Sequence, residues 1–282
     1  IMAAGTSSRF VPLSVERPKG LVEVKGEILI ERQIRQLKEA GITDITLVVG
    51  YKAEMFAYLR DKYAVDIVYN EDFARYNNTS SLIRVIEKLD NTFICSSDNY
   101  FPENVFTRES VDSYYSALYA EGKTNEYCLI TDAEGQITDV KVGGHDSWYM
   151  VGHVFFNHEF SEKFRKLMIK EYCNETTKQG YWEDLYIRYI DQLPKMKINR
   201  YKEGDIQEFD SLDELRMFDE SYKNDTRSSI VKQICKQLEV EEACVHAFRN
   251  IKHKGNYLQF QFNVYDDVYE YNAENGIEIK KI

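Results

Sequence analysis

Close to the start of the chain, the run Ala3-Ala4-Gly5-Thr6-Ser7-Ser8-Arg9-Phe10 and the nearby Arg17-Pro18-Lys19 combine a turn of small side chains with fixed cations. Small side chains let the backbone approach phosphate oxygens, and successive N–H groups leading into a helix N-terminus form an anion-binding concavity. Arg9 and Lys19 can balance the remaining charge, the guanidinium as a bidentate fork and the ammonium as a compact point charge. The spacing is neither that of a G-x-x-x-x-G-K-S/T loop nor of a G-x-G-x-x-G fingerprint, because only one glycine is present and Lys19 follows a proline. The chemistry indicated is the holding of a triphosphate by a loop of another kind. Asp98 follows the apolar run Phe93-Ile94-Cys95, and a carboxylate at the carboxyl end of a strand is where a hard cation such as Mg2+ is held. Taken singly, an Arg and a Lys near a turn are ordinarily solvated surface charges; the pattern around these two is what singles them out.

The opening motif resembles the signature A-A-G-x-x-S-R-h-x-P-L…P-K of the nucleoside-triphosphate transferases that make sugar nucleotides and CDP-alcohols, and every defined position of it is filled. Within that superfamily the chain is most similar to the bacterial CTP:phosphocholine cytidylyltransferases. The later motifs are Val49-Gly50-Tyr51, Tyr76-Asn77-Asn78, Ser97-Asp98-Asn99-Tyr100, Asn125-Glu126-Tyr127, Asp184-Leu185-Tyr186 and Glu208-Phe209-Asp210-Ser211, in the family's order. The resemblance implies a Rossmann-like nucleotidyltransferase fold and a transfer of CMP from CTP to phosphocholine. In that reaction an acceptor phosphate oxygen attacks the α-phosphorus in line and pyrophosphate leaves, so no protein nucleophile is needed. Arg9 is then assigned to the β- and γ-phosphates and Lys19 to the α-phosphate and incoming phosphate. Asp210 is implied as the second Mg2+ ligand beside Asp98, although an Asp or Ser before Leu212 is equally a helix cap.

The nucleotide is expected against Ala3, Ala4, Gly5, Thr6, Ser7 and Ser8, with Gly50, Tyr51, Asn77, Ser80 and Ser81 framing the base; Thr79 and Ser80 also suit an ordinary capped helix start. For the acceptor, a quaternary ammonium is recognised by aromatic faces and diffuse negative charge, which Tyr127, Trp182, Glu183, Asp184 and Tyr186 supply. Two positions depart from the family: Tyr127 stands where relatives carry Trp, and Ile187 where they carry a second aromatic. Phosphoethanolamine, 2-aminoethylphosphonate and a sugar 1-phosphate stay open as acceptors, as does a non-catalytic nucleotide-binding scaffold.

The elements that must position these residues alternate. Residues 1–4 read as the end of a strand that begins before the sequence does. A helix is expected over 27–40, with Ile30, Ile34 and Leu37 on one face, then a strand over 44–49. Helices at 53–63 and 81–89 alternate with strands at 65–69 and 92–96. This is a doubly wound α/β pattern with a mostly parallel mixed sheet, and ligands sit beyond the carboxyl ends of such strands. Strands at 114–120, 126–131, 137–142 and 147–157 follow, then helices at 158–172 and 183–191, strands at 195–201 and 206–209, and a helix at 212–222. Residues 1–222 are expected to form the catalytic domain. Residues 226–282 are expected to form a small α+β appendage of one helix and four short strands, the last two turned at Asn275-Gly276. It weakly resembles the opening of bacterial choline kinases, lacks their catalytic residues, and is expected to dock or to mediate homo-oligomers.

With 282 residues and 43% hydrophobic composition, the chain can bury an α/β core. Five cysteines without a C-x-x-C pair speak against a disulfide framework or a zinc site. No run is apolar enough to span a membrane and no signal peptide is read, so a cytoplasmic enzyme is expected. A net charge of -11 disfavours nucleic acid or an anionic bilayer as a partner.

Overall fold

The structure is a computed structural model and describes residues 1–251, 259–273 and 278–282. The expected turn at Asn275-Gly276 lies outside the described residues. By packing, the chain falls into two compact units: residues 1–5 with 30–208, and residues 6–29 with 209–282. The grouping does not follow chain order, because the segment bearing Arg9 and Lys19 packs with the C-terminal part. Among the described residues no helix is long and apolar enough to cross a membrane.

The first unit is built on the expected sheet. Met2–Ala3, Thr46–Val49 and Asp66–Tyr69 lie side by side in parallel, with Ala3 opposite Val49 and Val49 opposite Tyr69. A parallel bridge from Met2 to Ser96 continues to Thr92–Cys95, which pairs antiparallel with Ile137–Phe156. That strand pairs antiparallel with Tyr114–Thr131, and Lys197–Arg200 adds a parallel edge. The apolar spacing of the Leu29–Glu39 helix works as expected, with Ile30, Ile34 and Leu37 all buried. Two glutamines share that buried face. Gln33 Nε2 donates to the carbonyls of Ser96 (2.7 Å) and Asn99 (2.8 Å), and Gln36 Nε2 donates to that of Phe101 (2.9 Å), so the helix grips the loop that carries Asp98.

Several boundaries differ from the sequence reading. The helix expected over 53–63 is a 3-10 turn, Ala53–Phe56, followed by the helix Tyr58–Tyr63. That expected over 81–89 starts earlier, as Thr79–Ile83, and ends in the 3-10 turn Ile86–Lys88. The four strands expected between 114 and 157 are two long ones, Tyr114–Thr131 and Ile137–Phe156. Their supposed breaks are bulges, with register shifts around Ala120–Lys123 and Thr124–Tyr127 and left-handed glycines at Gly122 (φ 72°) and Gly143 (φ 80°). A short helix, Glu175–Gln179, lies in a stretch to which the sequence reading assigns no element.

The second unit holds the hairpin Glu23–Val24/Glu27–Ile28, the helices Leu212–Phe218 and Ser229–Leu238, and a four-stranded antiparallel meander. The meander runs Val245–Asn250, Gln259–Val264, Asp267–Asn272 and Glu278–Lys281. Phe260 and Phe262 are fully buried on it, and the Phe260 and Tyr271 rings stack at 4.6 Å.

In the first unit His153 is buried among Phe93, Phe101 and Phe106, with Tyr114 Oη 3.2 Å from Nε2 and Ser116 Oγ 3.3 Å from Nδ1. Burial pushes its pKa down to about 3. A depressed folded pKa means that this part of the stability is present above the unfolded value of about 6.5 and is lost as the pH falls toward the folded one. Thermal unfolding from about pH 7 to about pH 4 should show wild type losing stability faster than His153→Gln; a Tm difference that does not change with pH contradicts a neutral buried imidazole.

Candidate active site

In the first unit, four strand ends come together at their carboxyl side. Ala4 O accepts from Tyr51 N–H (3.1 Å), Val49 O accepts from Asn70 N–H (2.8 Å), and Met2 O accepts from Ser97 N–H (3.0 Å). The sequence reading placed Ala3, Ala4, Gly50, Tyr51 and Asp98 here, and the structure brings their backbones together. The two glycines differ in kind. A Cβ on Gly50 would lie 2.5 Å from Phe73 Cβ and 2.9 Å from Ala4 O, so packing alone demands a glycine there. A Cβ on Gly5 would meet nothing within 4 Å, so the fold places no such demand and the room belongs to whatever approaches the loop.

Asn70, which the sequence reading missed, organises the residues expected to frame the base. It is buried, and its Nδ2 donates to Ser80 Oγ and Ser81 Oγ, both at 2.9 Å. Ser80 Oγ in turn donates to Asn77 O at 2.8 Å. Ser80 and Ser81 are therefore buried and joined to the scaffold through Asn70. Neither Thr79 nor Ser80 caps the helix, whose N-cap is Asn78. Asn77 and Tyr51 stay partly exposed at the frame's edge.

Asn78 extends the frame toward the expected acceptor residues. Its Oδ1 accepts from Trp182 N–H (2.8 Å) and its Nδ2 donates to Glu183 Oε2 (3.1 Å), while Thr79 Oγ1 donates to Gly180 O (2.6 Å). Glu183 Oε1 accepts from Tyr115 Oη at 3.1 Å. Burial pushes the Glu183 carboxyl up to about 7, against the hydrogen bonds from Asn78 and Tyr115 that favour its charged form. Tyr127 Oη donates to Asp184 Oδ1 (2.9 Å), and Tyr181 N–H donates to Asp184 Oδ2 (2.8 Å), so Asp184 also closes the start of the Trp182–Arg188 helix.

The aromatic set needs correction. Trp182 and Tyr186 are core side chains, 2% and 1% exposed. Trp182 stacks on Tyr115 at 5.9 Å with its edges against Phe156 and Phe164, and Tyr186 packs on Phe160. Tyr127 remains partly exposed, and Tyr181, which the sequence reading did not single out, is exposed. Its signal was only its position two residues before the expected helix.

The second unit carries the cations. Ser7 adopts a left-handed conformation (φ 49°, ψ 46°) and is followed by the 3-10 turn Ser8–Phe10, which Phe10 N–H closes on Ser7 O at 2.9 Å. A left-handed residue followed by right-handed ones is the backbone of an anion-binding nest, and holding a serine there costs about 1 kcal/mol or more. Thr6 and Ser8 are exposed beside it. Arg9 is 78% exposed and its Nη1 lies 2.8 Å from Asp210 Oδ2, whereas the Lys19 side chain is 5% exposed, with Nζ 3.5 Å from Asp210 Oδ1 and 5.7 Å from the Phe10 ring centre. The cap of the Leu212–Phe218 helix is Ser211, whose hydroxyl accepts from Glu214 N–H; the Asp210 carboxylate is not the cap and faces the two cations.

Mg2+ takes one or two protein carboxylates and completes its shell with phosphate oxygens and water. Asp98, in the first unit, and Asp210, in the second, are the two carboxylates that the sequence reading offered for it. Asp98 accepts from Ser96 Oγ at 2.6 Å, and the residue after it, Asn99, pairs antiparallel with Glu208 in the first unit. Among the described residues no group of three or more His, Cys, Asp or Glu is placed to hold a metal. A cavity of about 560 Å3, lined by Leu37, Ile42, Val85 and Phe155 among others, contains none of these site residues.

The two glycines give a direct test. Gly5→Ala should leave the Tm within about 1 °C of wild type while lowering nucleotide affinity at least about tenfold, whereas Gly50→Ala should lower the Tm by several degrees. Equal Tm losses for the two variants would contradict the distinction drawn between them.

Comparison with known proteins accords with this geometry. Residues 1–135 match the model of the MobA-like NTP transferase domain. The choline-phosphate cytidylyltransferase of Streptococcus pneumoniae is 35% identical over 80% of this chain and 98% of its own length. The 2-aminoethylphosphonate cytidylyltransferase of Lancefieldella rimae is 34% identical over 79% of this chain and 92% of its own. The solved structure of the S. pneumoniae CTP:phosphocholine cytidylyltransferase superposes with a TM-score of 0.75, covering 79% of this chain and 97% of that one. The chain belongs to this family of cytidylyltransferases, nucleotidyltransferases built on the MobA-like fold.

Proposed function

We propose that the chain transfers CMP from CTP to phosphocholine, giving CDP-choline and pyrophosphate, and that it does so in the cytoplasm with Mg2+. The observation that carries the acceptor assignment is the partly exposed Tyr127 ring fixed to Asp184, with Glu183 adjacent in the chain and Tyr181 exposed beside it. Both Asp184 oxygens already accept hydrogen bonds. A trimethylammonium group has no N–H to donate and needs only an aromatic face and diffuse negative charge, so this arrangement suits it. A second reading, 2-aminoethylphosphonate, draws on the burial of Trp182 and Tyr186, which withdraws two of the expected aromatic faces.

In the proposed reaction an oxygen of the acceptor phosphate bonds to the α-phosphorus of CTP, and the bond from that phosphorus to the bridging oxygen breaks, leaving pyrophosphate. The acceptor oxygen is already anionic, so catalysis consists of positioning two polyanions and stabilising charge. Arg9, on its exposed turn, would chelate the β- and γ-phosphates, and Lys19, buried with its Nζ over the Phe10 ring, would serve the α-phosphate and the incoming oxygen. Asp210 orients both cations through its two oxygens. Mg2+, for which Asp98 and Asp210 are the candidate ligands, would supply further charge neutralisation on the phosphates. Asn77, Tyr51 and the backbone at Gly50 are the groups left to frame the base.

Pyrophosphate release with CTP should be at least about tenfold faster in kcat/KM for phosphocholine than for phosphoethanolamine, 2-aminoethylphosphonate or glucose 1-phosphate. Preference for 2-aminoethylphosphonate would replace the acceptor and keep the mechanism. Lys19→Ala should lower kcat by about 100-fold or more while the protein stays folded, and near-normal turnover would remove its assigned role.

Glu183 supplies a pH test. Its folded pKa of about 7 lies above the ordinary carboxylate range, so at neutral pH a cationic headgroup must draw the proton off to meet a full charge. The acceptor KM should fall as pH rises from about 6 to about 8, by more in wild type than in Glu183→Gln, which cancels the titration of the substrate's own phosphate. Parallel profiles would contradict this role for Glu183.

A further inference from the structure

Matching 98% of the S. pneumoniae enzyme accounts for only 80% of this chain, so about a fifth of it has no counterpart there. The family motifs run from Ala3 to Ser211, which places that remainder in the C-terminal part. Its contacts within the second unit are with the cation-bearing segment. The Glu16 carboxylate, which lies in the chain between Arg9 and Lys19, meets the first turn of the Ser229–Leu238 helix. One oxygen, Oε1, accepts from Ser229 Oγ (2.7 Å), Ile230 N–H (2.8 Å) and Ser228 Oγ (3.2 Å). A carboxylate there satisfies an otherwise unpaired N–H, that of Ile230, at the positive end of the helix dipole.

Two further attachments lie on either side of Glu16. Past Lys19, Arg227 pairs with Glu23 at 3.4 Å and covers the Tyr222 ring, while Tyr222 Oη donates to Glu23 O at 2.7 Å. Before Glu16, the Val245–Asn250 strand runs beside the Ser8–Phe10 turn that carries Arg9. That strand bulges between His246 and Arg249 and is pinned there, because Ala247 (φ 53°) donates its N–H to Asp213 Oδ2 at 2.6 Å. The buried Arg216 guanidinium donates to Val245 O (2.6 Å) and Glu242 O (2.8 Å). The segment from Ser8 to Glu23 is thus tied at three places to residues that the matched relative lacks or that hold those residues.

We infer that the C-terminal part is a brace for the triphosphate-binding cations, with Glu16 as the positioning residue that joins the two. This rests on the reading of Arg9 and Lys19 as phosphate ligands, and it gives residues 226–282 a role within the same molecule in place of docking to another. The Glu16 Oε1 oxygen is committed to the first turn of that helix, so it acts through the turn it holds. Releasing it frees the turn between the two cations, so the loss falls on CTP and spares the acceptor, whose residues belong to the other unit.

The experiment compares full-length wild type, Glu16→Ala, Glu16→Gln and Ser229→Ala by calorimetric binding of CTP with Mg2+ and by steady-state KM for both substrates. Glu16→Ala should raise the Kd and KM for CTP about fivefold or more and leave the acceptor KM within about twofold. Glu16→Gln keeps an oxygen for Ile230 N–H and should stay within about twofold of wild type, with Ser229→Ala in between. Unchanged CTP affinity in Glu16→Ala, or an equal rise in both KM values that glutamine does not rescue, overturns the brace. If Glu16→Ala does not fold, Ser229→Ala decides by the same split between the two KM values. Wild type that fails to bind CTP overturns the site reading itself, and the brace with it.

Discussion

The contact of one carboxylate, Asp210, with two cations, Arg9 and Lys19, is the constraint on which the proposed triphosphate site depends. A chain of net charge -11 that handles two polyanions cannot attract them by its overall field. It must concentrate positive charge locally and keep that charge organised before substrate arrives. Lys19 is almost wholly buried and needs a counter-charge to be tolerated there, whereas Arg9 is exposed and would gain little from an ordinary surface pair. Asp210 meets both needs with different oxygens. The left-handed Ser7 adds backbone N–H groups to the same device.

Within the first unit the positional accuracy comes from buried amides. Gln33 fixes the loop that carries Asp98 by holding the carbonyls of Ser96 and Asn99. Asn70 holds two serine hydroxyls at the start of the next helix, and Asn78 bonds both the backbone and the side chain of the Trp182–Glu183 pair. A buried amide is stable only when its partners are in place, so each of these residues penalises misplacement of the loop it holds. The residues expected to frame the base and those expected to hold the acceptor are in this way parts of one hydrogen-bonded assembly within the first unit.

The sequence disclosed the elements whose signal is local. The opening motif is legible because the chemistry of phosphate binding is written in adjacent residues, and the Leu29–Glu39 helix because its apolar positions repeat at helical spacing. Long-range partners were not legible. Asn78 and Glu183 are 105 positions apart, and nothing in the type of either residue names the other. Trp182 and Tyr186 pass for acceptor walls in sequence because an aromatic in the core and one in a binding cage have the same letter; only packing against Phe156, Phe160 and Phe164 separates them. The stretches around Gly122 and Gly143 pass for strand breaks because a left-handed glycine serves a bulge as readily as a turn. Asp210 and Ser211 were rivals for one cap, and the serine took it, leaving the carboxylate to the cations.

The central claim is that these residues assemble a nucleotidyl transfer to a choline phosphate. Phosphorus NMR of the enzyme with CTP, phosphocholine and Mg2+ tests it most directly, because it identifies every phosphorus at once. The account predicts that CTP and phosphocholine disappear together as the two coupled signals of a diphosphate diester and one signal of pyrophosphate grow in equal amounts. Release of CDP and orthophosphate, or of CMP and pyrophosphate with phosphocholine unconsumed, would contradict it.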